Sequence, residues 1–308
     1  MTGRNADRIV LVTGASKGIG LAAVRLLAAR GYTVYAGVRN PADLPRVEAE
    51  GNGAVRGLAL ELTDEDSRRQ AVERVARESG EAGLYGLVNN AGIAIAAPLE
   101  FVPLEELRRQ FEVNLFGLLA VTQACLPLLR RHRDAADVEP SSRPAASRRP
   151  RIVNVSSIGG RIAFSPSGPY TASKFALEAL TDTLRMEVEP QGLRVAAVEP
   201  GTVSTPLWEK ALAAGTQIQD SLPAEALELY GERVAGAISH ARSAADRGVS
   251  PERVAAVILR ALSARRPRTR YLVGPDARLA ARLVQPLPDR LRDRLLEMRD
   301  RFSGTERS

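Results

Sequence analysis

The 308-residue sequence predicts a single-domain α/β fold, a doubly wound parallel sheet with helices on both faces. Three observations predict it. Short apolar runs recur near 8–13, 33–38, 55–60, 84–89, 151–156, 193–199 and 270–273, and stretches of helical periodicity lie between them. A glycine-rich turn, Thr13-Gly14-Ala15-Ser16-Lys17-Gly18-Ile19-Gly20, joins the first run to the first helical stretch. Hydrophobic residues make up 44% of the chain, enough for one large core, and no composition break divides it. We expect residues 1–274 to form this domain and 275–308 an amphipathic tail.

The first strand, Ile9-Val10-Leu11-Val12, enters the glycine turn and then the helical pattern from Leu21 to Ala29. Glycines in that context let the backbone approach a pyrophosphate, and the helix N-terminus offers unpaired N–H donors. Because the spacing is Gly-xxx-Gly-x-Gly, a generic glycine turn is the alternative. The second strand, Thr33–Val38, ends at Arg39. After the third run comes Leu60-Glu61-Leu62-Thr63-Asp64, and after the fourth Asn89-Asn90-Ala91-Gly92. The next helical stretch carries Asn114 and the only cysteine, Cys125, which reads as a core residue and can form no internal disulfide.

Residues 132–150 are polar, proline-rich and without periodicity, the pattern of a mobile surface loop inserted before the fifth strand. His132 there and His240 on a polar helix are expected to be exposed to solvent, and no metal is called for. Residues 202–250 form a mainly helical excursion between two strands, long enough to be a substrate lid, with Trp208 inside it. In the tail, Leu279, Leu283, Leu287, Leu291, Leu295 and Met298 alternate with arginines and are interrupted by Pro286 and Pro288.

The net charge of +7 is concentrated. Residues 130–151 hold seven basic and three acidic side chains and residues 264–308 twelve and six, so the remainder is slightly acidic. A basic nucleic-acid-binding face is therefore not expected, and aromatics at 4% leave few stacking platforms. The first eight residues carry no apolar leader, and no run approaches about 18 apolar residues, so a cytoplasmic protein is expected.

Tyr170 and Lys174 are four residues apart after Pro169, so on a helix they share a face. A free phenol titrates near pH ~10, and a cation beside it favours the phenolate, which makes the tyrosine usable as an acid or base near neutrality. An isolated Tyr-xxx-Lys is also an ordinary helix pair. Five motifs in order lift it above that: the glycine turn, Asn89-Asn90-Ala91-Gly92, Asn114, Ser157 thirteen residues before Tyr170, and Pro200-Gly201 after the sixth strand.

With these motifs the span from Arg8 to about Val273 resembles the short-chain dehydrogenase/reductase family, whose domain is a Rossmann-like sheet. The wording around Ser157 and Tyr170 is nearest the branch of 17β-hydroxysteroid and retinol dehydrogenases. The resemblance implies an oxidoreductase acting on an alcohol or carbonyl substrate. Tyr170 would be the general acid in reduction and the base in oxidation, Ser157 would hold the carbonyl oxygen, Lys174 would bind the nicotinamide ribose and lower the tyrosine pKa, and Asn114 would anchor a proton relay. Gly14, Ser16, Lys17, Gly18, Ile19, Gly20, Leu62, Asn89, Ala91, Gly92, Pro200, Gly201, Val203 and Thr205 would complete the cofactor site. Ser156 competes with Ser157 for its role, and spacing favours Ser157.

An acid at the end of the second strand reads a ribose 2′-OH, whereas arginine reads a 2′-phosphate. Arg39 stands there and Lys17 is a second cation, so NADP is expected over NAD. Glu61 stands where the family usually has Asp at the adenine, which puts that contact in doubt. A homodimer or homotetramer acting on a small molecule is expected. Alternatives are an NADP-binding sensor or scaffold without turnover, and a peripheral membrane dehydrogenase for lipophilic substrates, docked by its arginine-rich tail.

Overall fold

A computed structural model describes residues 8–137, 149–205 and 223–304 of the chain. Its seven strands are β1 (Ile9–Thr13), β2 (Thr33–Val38), β3 (Val55–Ala59), β4 (Gly86–Asn89), β5 (Arg151–Val155), β6 (Arg194–Pro200) and β7 (Arg270–Val273). They form one parallel sheet in the order β3-β2-β1-β4-β5-β6-β7, as the alternating pattern predicts. The order reverses between β1 and β4, so the connections leaving their carboxyl ends diverge and open a crevice there.

Side chains on successive strand residues face opposite sides of the sheet, and both sides are dry. Val10, Val12, Val34, Ala36, Val153, Val155, Ala196 and Val198 face one side, where they pack with helices α1 (Gly18–Ala29) and α8 (Pro251–Ser263). Ile9, Leu11, Tyr35, Leu87, Ile152 and Val195 face the other. There they meet Ala71 and Val75 of α3 (Glu65–Ser79), Val121, Cys125 and Leu129 of α5 (Leu118–Asp137), and Leu184 and Val188 of α6 (Gly168–Val188). Each valine or leucine so buried contributes about 1.5–3 kcal/mol, which is why continuous apolar runs, and not alternating ones, make these strands. Burial pushes the Cys125 thiol up to about 12, so it stays protonated, as a core residue should.

Two expectations need correction. Residues 132–137 are the last turn and more of α5, not loop, and residues 138–148 lie outside the described set. His132 is accordingly not solvent-exposed. Its Nδ1 lies 2.9 Å from the Ala82 carbonyl, its ring stands edge-on to Tyr85 at 5.5 Å, and burial lowers its pKa. The stretch Leu104–His132 is also a single helical run that is long and apolar enough to cross a membrane, by length and composition. Its apolar content has a local use, because Val121, Cys125, Leu128 and Leu129 build the core on one face of the sheet.

The excursion after β6 is tied at both ends. Val249 donates its N–H to Thr202 O (2.9 Å) and accepts from Ser204 N (3.0 Å), and Val203 pairs with Val249. Residues 206–222, with Trp208, lie outside the described set. Helix α7 (Ala224–Arg247) then returns over the domain. Its Tyr230 hydroxyl donates to Glu100 (2.7 Å), and its ring meets Phe101. In the tail, α10 (Asp289–Gly304) packs against α7 after the short α9 (Pro275–Leu279), with Leu279, Leu283, Leu291, Leu295 and Met298 left exposed. The remaining helices are α2 (Leu44–Glu48) and α4 (Leu104–Phe111).

Candidate active site

Because the sheet is parallel, β1, β4, β5 and β6 end at the same edge, and the residues singled out by the sequence follow those ends. At the end of β1 the backbone comes as close to its neighbours as it can. Gly14 has φ +65°, and a Cβ there would stand 2.7 Å from Ala91 Cα; one on Gly20 would stand 2.2 Å from Gly14 O. The turn is pinned from β4. The Asn90 amide donates to the carbonyls of Thr13 and Gly14 at 3.0 and 3.1 Å, while Thr13 Oγ1 accepts the N–H groups of Asn90 and Ala91.

Helix α1 begins at Gly18 with Lys17 in the capping position, making no side-chain cap, and with no acid in the first turn. Its first N–H groups therefore have no side-chain acceptor. A cradle that any Cβ would fill, beside a bare helix N-terminus, fits the pyrophosphate of a dinucleotide. Ser16 and Ile19 are half-buried in this turn, and Lys17 is exposed.

Arg39 follows β2 with its side chain 70% exposed, 3.9 Å from Glu61. Oε1 of Glu61 is turned back on its own loop, accepting from Thr63 N and Oγ1, while Oε2 faces Arg39. Leu62 is buried, and its carbonyl accepts from Arg68 at 2.6 Å. A cation that the sequence reading passed over reaches the same place: Arg46 of α2 donates to Ser16 O at 2.5 Å and to Asp43 at 3.1 Å. Its signal was weak, an arginine three residues after an acid.

Asn89 is not at the rim. Its buried amide nitrogen donates to Thr122 and Asn154 at 2.9 Å each, joining β4 to α5 and β5, and its Oδ1 is buried without a partner. Ala91 and Gly92 continue past it, with Gly92 beside Asn114: a Cβ there would stand 3.3 Å from Asn114 Oδ1.

Asn114 lies in a π-helical segment, Glu112–Gly117, between α4 and α5. Such bulges re-aim side chains. Its Oδ1 accepts from Ile93 N (2.9 Å), and its amide donates to Ile93 O (3.0 Å) and Ser173 Oγ (3.1 Å). Ser173, which sequence reasoning missed, in turn donates to Tyr170 O, so Asn114 reaches the first turns of α6.

Ser157 follows β5 in extended conformation, its Oγ accepting from Gly159 N at 3.0 Å. Tyr170 and Lys174 stand on α6, as their spacing predicts, and Lys174 is buried with Nζ 5.8 Å from the Tyr170 ring centroid. Ser156 Oγ is buried without a partner, whereas Ser157 Oγ and the Tyr170 ring edge flank one point: a Cβ on Gly159 would stand 3.4 Å from Ser157 Oγ and 3.3 Å from Tyr170 Cε1. Burial raises the Tyr170 pKa, and the Ser157 hydroxyl partly opposes the rise. The Lys174 ammonium, which faces the Tyr170 ring, donates to Val155 O at 3.0 Å, and burial lowers its pKa to about 8. In water phenol and ammonium titrate close together, near ~10 and ~10.4; the two shifts move them apart, so Lys174 gives up its proton well before Tyr170 does.

Pro200 ends β6. Gly201 is packed on Asp276, Val203 is buried, and Thr205 is the last described residue before 206–222.

A parallel sheet with a bare glycine cradle at its switch point, and with serine, tyrosine and lysine gathered at the same edge, defines a dinucleotide-dependent oxidoreductase. The family model for short chain dehydrogenase matches residues 8–215, and the chain belongs to that family. It is 33% identical to the NADPH-dependent 3-dehydrocapnine reductase of Ornithobacterium rhinotracheale, over 94% of this chain and 95% of that one. Against retinol dehydrogenase 5 of Mus musculus the identity is 33%, covering 94% and 88%. A crystal structure of a short-chain dehydrogenase from Streptomyces avermitilis superposes with a TM-score of 0.72 at 27% identity, covering 99% of this chain and all of that one. The chain is thus a nicotinamide-dependent short-chain dehydrogenase/reductase of the retinol and steroid dehydrogenase branch, acting on small-molecule alcohol or carbonyl groups.

Proposed function

We propose that this enzyme uses NADP(H) to interconvert an alcohol and a carbonyl, with Tyr170 as the acid and base. The observation that carries the role is the placing of Ser157 Oγ and the Tyr170 ring edge around Gly159, with the Lys174 amine on the same helix face. When bound, the cofactor supplies or accepts the hydride at the substrate carbon. In reduction Tyr170 gives its proton to the carbonyl oxygen; in oxidation it takes one from the hydroxyl. Ser157 holds that oxygen in line with the phenol. Lys174, whose pKa near 8 lets it exchange a proton at physiological pH, resupplies the phenol, and Asn114 serves the relay behind it.

Gly14, Gly18 and Gly20 would hold the pyrophosphate, and Arg39, Lys17 and Arg46 would meet the 2′-phosphate. The preference for NADP is supported by these three cations, and one relative is named as NADPH-dependent. Assembly as a homodimer or homotetramer is supported by exposed Phe116 in the π-helical segment between α4 and α5 and by exposed Phe175 and Met186 on α6. The substrate panel begins with 3-dehydrocapnine, retinal and 3-ketodihydrosphingosine, suggested by the names of relatives.

The test is Tyr170→Phe. It should bind NADPH nearly as wild type does and lose at least about 100-fold in kcat, since the hydroxyl is the proton donor but not part of the cofactor cradle. A variant that keeps more than about half the wild-type rate removes Tyr170 from the chemistry.

A further inference from the structure

Opposite the catalytic edge, at the amino ends of β5, β6 and β7, six arginines surround a cavity of about 350 Å³: Arg149, Arg185, Arg194, Arg265, Arg266 and Arg268. They come from four places in the chain, the approach to β5, helix α6, the start of β6 and the α8–β7 connection. Two basic segments more than a hundred residues apart in sequence thus converge on one pocket.

Among the described residues the positive charge is only partly paired. Glu189, the one acid in the lining, is taken by Arg194 in a close ion pair, and Arg185 pairs with Asp182 at 3.1 Å. Among the described residues no carboxylate lies within ion-pair distance of Arg149, Arg265, Arg266 or Arg268. The Nε of Arg185 is buried without a hydrogen-bond partner. Burial, and then repulsion from Arg149 and Arg151, lowers the pKa of Arg194, so the cations are packed against their own electrostatics. Like charges held together at a solvent-screened cost are the arrangement that a multivalent anion relieves. Guanidinium forks match phosphate oxygens two at a time. The cavity volume falls at the lower end of the range for small-ligand sites, about 300–1,000 Å³.

We propose that this cavity binds a multivalent phosphate anion, free or carried on a phosphorylated lipid headgroup. It is a second site, independent of the cofactor. β6 alone separates the two edges by about 20 Å, so one phosphate group cannot bridge them.

The experiment measures binding of inorganic pyrophosphate and tripolyphosphate by calorimetry at fixed ionic strength, together with the Tm each anion induces. Three proteins are compared: wild type, Arg265→Ala/Arg266→Ala/Arg268→Ala, and Lys17→Ala/Arg39→Ala. We expect saturable binding to wild type, tighter for tripolyphosphate, with a rise in Tm. In the triple variant both signals should fall at least tenfold in affinity, while its Tm without anion is unchanged or higher and its oxidoreductase activity persists. The Lys17/Arg39 variant should bind as wild type does. Sedimentation with phosphatidylcholine vesicles, with and without phosphatidylinositol bisphosphate, separates the two sources: loss of co-sedimentation in the triple variant assigns a lipid headgroup, and no sedimentation of wild type assigns a free anion. No binding to wild type, equal binding by the triple variant, or loss confined to the Lys17/Arg39 variant overturns the proposal.

Discussion

Arg39 is expected to set the cofactor preference, and its surroundings set how strongly. The side chain is 70% exposed and faces Glu61 at 3.9 Å, so it is screened by water and partly neutralised before any phosphate arrives. A charge-assisted hydrogen bond contributes about 1.5–3 kcal/mol, and an exposed one sits at the lower end. We therefore predict that Arg39→Ala weakens NADPH binding about tenfold and leaves NADH nearly unchanged. Glu61→Gln should act the other way and tighten NADPH severalfold, because it frees the guanidinium. Titration of both cofactors at fixed ionic strength checks this; equal weakening of NADPH and NADH by Arg39→Ala would show that the preference lies elsewhere. Arg39 and Lys17 were legible because they sit in a motif. Arg46 and Ser173 were not, since each reaches the site through a backbone carbonyl or a second side chain that only folding supplies.

At the scale of elements, the junction between β6, the lid and α9 is a single packed contact. A Cβ on Gly201 would lie 2.2 Å from Asp276 Oδ2, the atom that accepts the Thr202 N–H at 2.6 Å. Gly201→Ala should lower Tm by several degrees and raise KM, because the alanine displaces the acid that anchors the lid's first residue. Asp276→Ala loses the anchor but makes room. The double variant should then be no worse than Gly201→Ala alone, a coupling that thermal melts and initial rates would detect; additive losses would mean that the two residues act separately. Strands were readable from their apolar runs to within two residues at each end. The end of α5 was not, because polar composition from residue 132 onward hides a helix whose His132 is held by Ala82 and Tyr85. Nor was the π-helical segment at Asn114, whose backbone register is fixed by partners on the β4 connection and α6.

For the whole molecule, burying Lys174 is a cost that function explains and stability does not. Its pKa falls from the usual lysine value to about 8 in the folded chain, so the unfolded chain holds a proton that the folded one releases between about pH 8 and the unperturbed value near 10.4. Below pH ~8 the penalty of keeping a buried ammonium is complete; it shrinks as pH rises through that window. Lys174→Met should therefore raise the unfolding free energy by about 1–3 kcal/mol at pH 7, less whatever is lost with the bond to Val155 O, and the gain should diminish toward pH ~10. Activity should be lost at the same time. Denaturant melts across that pH range check the prediction, and a variant less stable than wild type at pH 7 would show that the lysine is a structural support.

The sequence alone was sufficient for the parallel sheet and the family, and it singled out the side chains proposed to react, because each rests on local patterns: period, glycine spacing, and residues one helical turn apart. Folding decided what those patterns cannot encode. It turned Asn89 inward to Thr122 and Asn154, brought Tyr170 and Ser157 together around Gly159 and held Lys174 on Val155. It also gathered arginines from two distant segments around one cavity at the far edge of the sheet. In each case the partners are far apart along the chain, and pKa, orientation and charge density depend on distances in space, which composition and periodicity leave free.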